Sequence, residues 1–380
     1  MNARECFLNA LHFKKIDRIP LIEVEGIEPE AIIRWYGEGL TASMDLKNYL
    51  DLSVCYQSEI FPPSLREYLD LDQMEIIPID FYPIPRFVPR TLEENATYRT
   101  ATDFLGMTVR SSKTRPSLVF TFLDHPVKRK EDWEEMKKRL QASDPRRYPI
   151  TWSEELIEYY ESADHPIGLV FSPGLCELGL YMMGLKRFLA MHIQDPELIR
   201  EMFRFHADFL IEVSRAALRR ARIDYVAFSE DLAYNSGPFI SPSMYRELWL
   251  PYHRQIINFV KDNGVDIIVP WSSGDLRPLI PLLLKAGFNC LWPLQATASM
   301  DAVELRKAYG RSLLLVGNMA KEALMKGREA IDMEISSKVP YLMEQGGYIP
   351  AIDDRVPPDV PLENYAYYVR SLRKLDARMS

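Results

Sequence analysis

Eight short apolar runs, rich in β-branched residues, recur along the 380-residue chain and constrain its fold more than any other feature. Most are separated by stretches with apolar residues at helical spacing, long enough for the crossover between two parallel strands. This alternation favours a (β/α)₈ TIM barrel over a doubly wound open sheet. The eight predicted strands are residues 19–25, 74–80, 166–172, 224–230, 265–271, 290–294, 313–318 and 347–353.

One region interrupts the alternation between the second and third predicted strands. Residues 97–110 are typical of a β-hairpin with residues 103–106 at its turn, and an acidic helix follows from Glu131. We therefore predict a single barrel domain over residues 1–380. Within it, residues 81–165 form an inserted hairpin and helix near the barrel mouth.

The composition indicates a soluble globular protein that binds neither nucleic acid nor membranes. The chain is 47% apolar and 26% charged, and its net charge of -8 disfavours polyanionic partners, which are bound by clustered Lys and Arg. The first residues are typical of an amphipathic helix rather than a secretion signal, so we expect a cytoplasmic location. Four separated cysteines, Cys6, Cys55, Cys176 and Cys290, fit free thiols.

The predicted strand ends are strongly acidic, and in such a barrel the reactive side chains project from the carboxyl ends of the strands. Carboxylates gathered there raise each other's pKa, so that one can stay protonated near neutral pH and act as an acid. Alternatively, single members of the set cap the following helix or pair with Arg86 or Arg355. The strand-end acids are Glu23, Glu25, Asp80, Glu230, Asp231, Asp353 and Asp354.

Aromatic and amide side chains at or just past the strand ends complete the candidate site. Trp and Tyr give a flat apolar wall with one polar handle, which suits a ring-shaped ligand; the alternative is that they only fill the top of the barrel. Tyr181 belongs to this group. The predicted substrate-binding residues are Trp271, Ser273, Trp292, Gln295, Asn318, Asp353, Arg355 and Glu23.

Four motifs resemble the uroporphyrinogen decarboxylase superfamily. They are KKIDRIP at 14–20, LYMMGL at 180–185, SGPFISP at 236–242 with Pro251-Tyr252, and GGYIPAIDDRVPPD at 346–359. The likeness covers nearly the whole chain and is strongest over residues 166–370. It implies a (β/α)₈ barrel whose relatives include the porphyrinogen decarboxylase and corrinoid-dependent methyltransferases, so fold and function are argued separately.

The decarboxylase branch carries an Arg-rich loop after its first strand, which grips the carboxylates of the porphyrin. Here that loop reads EVEGIEPE over residues 23–30, and its four carboxylates would repel a polyanionic tetrapyrrole. Tyr181 matches the active-site tyrosine of the family, and Asp80 matches its central aspartate. The resemblance therefore implies catalytic roles for Tyr181 and Asp80, while a porphyrinogen substrate is disfavoured.

The thiol-directed methyltransferase branch binds zinc through a His-x-Cys-Gly motif after the fifth strand and a Cys after the eighth. Here the motif reads WSSG over residues 271–274, and Asp353 and Asp354 stand near the third ligand. Indole cannot ligate a metal and a serine hydroxyl is a poor zinc ligand, so the inherited zinc site is lost. An oxygen-ligand site of Glu230, Asp231 and Asp354 is the alternative that remains for zinc or another metal.

The leading hypothesis is a corrinoid-dependent methyltransferase of the O-demethylase type. A small methoxylated aromatic donor would bind against Trp271, Trp292 and Tyr181, and its methyl group would pass to the reduced corrinoid (cobalamin) of a partner corrinoid protein. Glu230, Asp231 or Asp354 would protonate the departing oxygen.

Two alternatives remain for the function, and one question concerns assembly. The chain could be a cofactor-free decarboxylase of a small aromatic or heterocyclic acid, or a ligand-binding barrel without activity. Residues 249–252 and 365–368 fit either core packing or the surface of a homodimer.

Overall fold

The barrel strands of the computed structural model, which describes residues 1–41, 63–114 and 120–379, lie inside the predicted runs. All neighbouring pairs among them are parallel, and a bridge between Trp271 and Trp292 joins the two halves of the sheet. The chain is thus an α/β protein of the (β/α)₈ class, as predicted. Its parallel strands are Glu75–Ile76, Ile167–Phe171, Tyr225–Ser229, Ile268–Trp271, Cys290–Leu291, Leu314–Val316 and Tyr348–Ile349.

The first predicted strand is wrong as a strand, although its residues occupy the expected place. Residues 19–25 form no ladder; instead a bridge pairs Ile27 with Val356, and the amide of Asp72 donates to the carbonyl of Leu21 at 2.7 Å. Side chains take over the ladder's hydrogen bonds, because the Glu23 carboxylate accepts from the amide of Ile352 at 3.0 Å. The segment therefore still lies between the second and eighth strands.

Helices cover the outside of the barrel, and several begin at the signals that the sequence predicts. Asp195 accepts a hydrogen bond from the amide of Leu198, and Pro196 is the first helical residue of a 25-residue helix. The helices in the described ranges are Ala3–Leu11, Pro29–Gly37, Pro63–Leu69, Lys130–Lys137, Glu154–Ser162, Leu175–Met183, Leu185–Gln194, Pro196–Arg220, Pro242–Met244, Leu250–Asp262, Ile280–Ala286, Ala302–Tyr309, Lys321–Lys326, Arg328–Gln345 and Leu362–Met379. None of them combines the length and apolar character needed to cross a bilayer.

The predicted hairpin is confirmed and belongs to an antiparallel sheet of four strands. Its turn is held by Asp103, whose carboxylate accepts from the amides of Leu105 and Met107. Arg86, which lies before the first strand of this sheet, donates to Asp80 at 2.8 Å. Its strands are Arg90–Glu94, Tyr98–Thr102, Thr108–Ser112 and Phe120–Asp124, and a smaller antiparallel pair is Ala233–Tyr234 with Gly237–Pro238.

Alternate residues along the barrel strands pack on opposite faces, as the two-residue period of a strand requires. In strand Tyr225–Ser229, Tyr225 and Ala227 belong to the cluster inside the barrel, whereas Val226 and Phe228 pack against the helices. Trp292 also belongs to the inner cluster and is 1% exposed. The barrel is therefore filled by side chains below its mouth.

Two smaller predictions are also answered by burial. Cys6, Cys176 and Cys290 are buried free thiols, while Cys55 lies outside the described residues. Of the five aromatic residues in the two segments considered as a dimer surface, three are buried in the core of the chain itself and two are partly buried against it, which favours the packing interpretation. The buried residues are Trp249, Tyr365 and Tyr368, and the partly buried ones are Tyr252 and Tyr367.

Candidate active site

Four carboxylates from different parts of the chain gather at the barrel mouth. Asp231 lies two residues after the end of the strand Tyr225–Ser229, and its negative charge raises the pKa of both Glu25 and Glu177. The charge of Asp354 in turn acts on Glu25 and on Asp231. We call this group, Glu25, Glu177, Asp231 and Asp354, the mouth cluster.

Glu25 lies against Trp271, the residue that occupies the first position of the altered zinc motif. The indole N–H of Trp271 donates a hydrogen bond to the Glu25 carboxylate. Burial raises the pKa of Glu25 to about 8, and the charges of Asp354 and Asp231 add to that effect, against the indole hydrogen bond and Arg355. Glu25 is thus an acid that keeps its proton at neutral pH, beside an aromatic wall.

Glu177 is the second acid with a raised pKa, and Tyr181 lies one helical turn after it. Burial raises the pKa of Glu177 to about 8, chiefly by desolvation and further through the charge of Asp231. The Tyr181 hydroxyl donates to Glu177 at 3.0 Å, and the Ser172 hydroxyl reaches its other oxygen at 3.4 Å. Ser172 is itself held by the hydroxyl of Tyr82 at 2.7 Å.

Asp231 adopts a backbone conformation that is uncommon for a residue with a side chain. Its φ is 44°, in the left-handed region, which costs on the order of 1 kcal/mol and is typical of functional sites. The conformation is held by neighbours, because the next amide, that of Leu232, donates to the Ser272 hydroxyl at 2.8 Å. The carboxyl group of Asp231 is reached by solvent, and desolvation together with Asp354 raises its pKa.

Asp354 is paired with cationic and amide groups. Lys321 donates to its carboxylate at 2.5 Å, and the amide side chain of Gln295 approaches the same oxygen at 3.4 Å. The Gln295 oxygen accepts from the amide of Gly274 at 3.0 Å, so Gln295 connects the loops after three barrel strands. Gly274 has φ 83°, and a Cβ there would lie 2.4 Å from the carbonyl oxygen of Ala233.

Glu230, the first acid of the sequence hypothesis, does not face the mouth. It is fully buried, and its two oxygens accept from the amides of Leu175 and Cys176 at 2.9 and 2.8 Å. His253 contacts one of the same oxygens at 2.9 Å through Nε2. The structure therefore corrects this assignment, because both oxygens of Glu230 are hydrogen-bonded to the amides at the helix start, and one of them also to His253.

Three further predicted site residues hold loops together instead of lining the mouth. Asp353 is fully buried and accepts from the amides of Ala296 and Lys321 at 2.8 and 2.9 Å. Glu23 accepts hydrogen bonds from the amide of Ile352 and from the hydroxyl of Tyr365. Asn318, 1% exposed, accepts from the amide of Ala302 and donates to two carbonyls.

Trp292 is also corrected, since it packs inside the barrel against Tyr225, with ring centroids 5.3 Å apart. Trp271 stacks edge-on over it at 6.0 Å and is partly exposed, so Trp271 alone of the two indoles reaches the mouth. Ser273 is partly buried in the same loop. Arg355 is exposed, and its charge lowers the pKa of Glu25, which places it beside the mouth cluster.

Asp80 is connected to the site through other residues. Its carboxylate accepts from the amide of Tyr82 at 2.9 Å and from Arg86 at 2.8 Å. Tyr82 then holds Ser172 and through it Glu177. Asp80 thus orients a neighbour of the acid and makes no direct contact with it in the described part of the chain.

The donor set does not fit a protein-bound metal. Over residues 1–41, 63–114 and 120–379, no three His, Cys, Asp or Glu side chains are grouped as metal ligands. The predicted set of Glu230, Asp231 and Asp354 is not assembled, because Glu230 is turned toward the helix start.

Two members of the mouth cluster were missed as site residues by sequence reasoning. Glu25 stands in the run of strand-end acids but received no role, and Glu177 lies inside a helix and received none. Its spacing of four residues before Tyr181 was the available signal, because residues four apart share one face of a helix.

The chain was compared with protein families and with known proteins. Residues 100–375 match the model of the uroporphyrinogen decarboxylase (URO-D) family. Uroporphyrinogen decarboxylase of Syntrophotalea carbinolica is 23% identical over 205 residues, 52% of this chain and 57% of that protein. That of Legionella pneumophila (strain Paris) is 24% identical over 142 residues, 37% of this chain and 39% of that protein. The chain therefore spans less than two thirds of the length of these curated relatives.

A solved structure gives the fold over the full length. The structure of a methyltransferase from Methanosarcina mazei superposes with a TM-score of 0.65 at 16% identity, covering 99% of both chains. Because residues 100–375, more than half of the chain, match the family model, the chain belongs to the URO-D family.

Proposed function

We propose that the chain is a methyltransferase that moves a methyl group from a small methoxylated aromatic donor to a corrinoid carried by a partner protein. The observation that carries this proposal is the pair Glu25 and Glu177, two carboxylic acids with pKa about 8 at one barrel mouth. The full-length likeness to a methyltransferase fold is consistent with it. The Arg-free loop over residues 23–30 disfavours a porphyrinogen substrate.

Demethylation of an ether requires a proton at the leaving oxygen, because an alkoxide or phenoxide is a poor leaving group. Glu177 is the better placed donor, since Tyr181 and Ser172 orient its carboxyl group and its raised pKa favours the protonated form at neutral pH. In the proposed step the methyl–oxygen bond breaks, the methyl group leaves to the acceptor, and the proton of Glu177 passes to the oxygen. The products are a free hydroxyl compound, the methylated acceptor and the Glu177 carboxylate.

The remaining residues would bind and orient the donor. Trp271 offers a partly exposed aromatic face, and its N–H is already used by Glu25, so the ring is held in place. Asp231 and Asp354 would exclude anionic groups from the reacting end of the donor. The corrinoid, which the partner protein would bring, supplies the nucleophile that accepts the methyl group.

The test mixes the purified protein with reduced free cobalamin and 4-methoxyphenol and quantifies hydroquinone by chromatography. The wild-type protein should form hydroquinone, and Glu177→Gln should slow its formation by about 10²-fold or more, since general acids contribute roughly 10²–10⁴-fold. Glu304→Gln is the matched control, because Glu304 is exposed and pairs only with Lys307 among the described residues. A Glu177→Gln variant as fast as wild type would refute the acid role.

The second candidate is a cofactor-free decarboxylase, which the names of the curated relatives favour. A decarboxylase would protonate the ring carbon that loses carbon dioxide, and Glu25 or Glu177 could supply that proton. Release of carbon dioxide from 4-hydroxybenzoate in the absence of cobalamin would support it. A protein that binds such compounds but turns over neither of them would instead be a ligand-binding barrel.

A further inference from the structure

A second cleft lies apart from the mouth cluster, between strand Phe120–Asp124 and helix Leu185–Gln194. Its volume is about 670 Å³, within the range of small-molecule sites. None of the residues of the mouth cluster lines it. The residues that carry the argument are Phe122, Leu123, His125, Lys186, Arg187 and Met191.

One side of this cleft carries exposed apolar side chains. Phe122 and Leu123, on the strand Phe120–Asp124, are 45% and 47% exposed. Phe122 packs edge-on against Phe120 at 5.3 Å and lies 5.9 Å from the ring of His125, so the wall is preformed. Met191 lines the cleft from the helix and can adapt to the shape of a ligand.

The His125 ring is fixed between the strand and the helix. Its Nδ1 lies 3.0 Å from the carbonyl oxygen of Tyr181, which requires a proton on Nδ1 and leaves Nε2 as an acceptor when the ring is neutral. The edge of the ring packs so closely on Gly184 that a Cβ there would lie 2.5 Å from His125. The floor of the cleft is thus rigid.

The other side of the cleft is cationic. Lys186 and Arg187 form no salt bridge in the described part of the chain, although Arg187 donates to the carbonyl of Val127 at 3.5 Å and its charge helps to lower the pKa of Asp124. The one acid that lines the cleft, Asp124, is bound by Lys128 at 2.7 Å, and this hydrogen bond is the main cause of its lowered pKa. A chain with a net charge of -8 therefore presents a local excess of positive charge beside an apolar wall.

We propose that this cleft binds a small amphipathic anion, with a flat apolar body against Phe122 and Met191 and an acidic group between Lys186 and Arg187. The apolar body covers side chains that are now exposed to water, and the anion meets cations that form no salt bridge in the described part of the chain. Neither half of the cleft involves the chemistry of the mouth cluster. The inference therefore stands independently of the proposed methyl transfer.

The probe for the test is 1-anilinonaphthalene-8-sulfonate, which combines an aromatic body with a sulfonate and fluoresces when bound. The full-length wild-type protein should bind one equivalent in a saturable, salt-sensitive manner. The double variant Lys186→Glu/Arg187→Glu should weaken binding at least tenfold. Ala190→Trp, which fills the cleft from a partly buried position on the helix, should abolish binding without removing any charge.

Two controls locate the probe. Arg219→Glu/Lys285→Glu makes the same change of net charge at exposed positions of other helices and should leave the affinity unchanged. Trp271→Ala should also leave it unchanged, since Trp271 belongs to the barrel mouth. The proposal is overturned if Ala190→Trp still binds the probe, if the charge control weakens binding equally, or if Trp271→Ala abolishes binding. Melting curves of all variants would confirm that each is folded.

Discussion

Replacement of Glu230 by glutamine separates a structural role from a catalytic one. The buried carboxylate accepts from the amides of Leu175 and Cys176 at the start of a helix, and from His253. The second ring nitrogen of His253 lies 2.8 Å from the Tyr245 hydroxyl. These partners fit a neutral imidazole whose Nε2–H donates to Glu230 and whose Nδ1 accepts from Tyr245.

The cost of Glu230→Gln follows from the hydrogen bonds that glutamine cannot make. Its NH₂ group must face one of the buried N–H donors, and an unsatisfied buried donor costs about 1–3 kcal/mol. The bonds that remain lose the assistance of the negative charge, and charge-assisted bonds are worth about 1 kcal/mol more than neutral ones. We therefore expect the free energy of unfolding to fall by about 2–4 kcal/mol.

Urea unfolding followed by circular dichroism measures this loss, with Glu304→Gln as the exposed control that should change stability by less than about 0.5 kcal/mol. Hydroquinone formation by the folded fraction should fall far less for Glu230→Gln than for Glu177→Gln. The structural reasoning would be refuted if Glu230→Gln unfolded like the wild type but lost its activity. In that case Glu230 would be the acid after all.

Four further outcomes follow from the same contacts. Glu23 has a pKa raised by burial from 4.5 to about 8, so its contribution to stability is full below about 4.5 and is lost as the pH rises through about 8; Glu23→Gln should make unfolding midpoints depend less on pH in that window. Asp353→Asn should lower the free energy of unfolding by about 1–3 kcal/mol in urea titrations, because one of two buried amides loses its acceptor. Gly174→Ala should lower the melting temperature, since its Cβ would lie 2.5 Å from both Glu230 and the carbonyl oxygen of Ser229. The rate of hydroquinone formation should fall as the pH rises through about 8, the pKa of Glu177, and a rate that is flat across that range would contradict the acid role.

The barrel could be predicted from the sequence because strand runs and helix caps are local signals. Seven of the eight predicted runs contain a strand in the described part of the chain, and the inserted hairpin formed where Asp103 predicted its turn. The first run failed because its hydrogen bonds are made by side chains of Glu23 and Asp72 with distant backbone groups. No local pattern of apolar residues distinguishes such a segment from a strand.

The candidate site was harder to predict, because which oxygens of an acid are free depends on partners far away in sequence. Glu230 and Asp231 are adjacent, yet one is bound by amides about 55 residues earlier and the other faces the mouth. Trp271 and Trp292 look equivalent in sequence and are bridge partners, but Trp292 packs against Tyr225 inside the barrel, whereas Trp271 donates to Glu25 at the mouth. Only the three-dimensional arrangement separates them.

The acids at the strand ends divide by the kind of donor that they accept from. Glu23, Glu230 and Asp353 accept from backbone amides, which are fixed in place and join loops or start a helix. Glu25 accepts from the side chain of Trp271, and Glu177 accepts from the side chains of Tyr181 and, at 3.4 Å, Ser172. Glu23 also has a raised pKa, so the distinction lies in the donors: a carboxyl group held by side chains can turn toward a substrate, whereas one held by fixed amides stabilises the frame. The chemistry of this barrel is therefore expected on the side of Glu25 and Glu177.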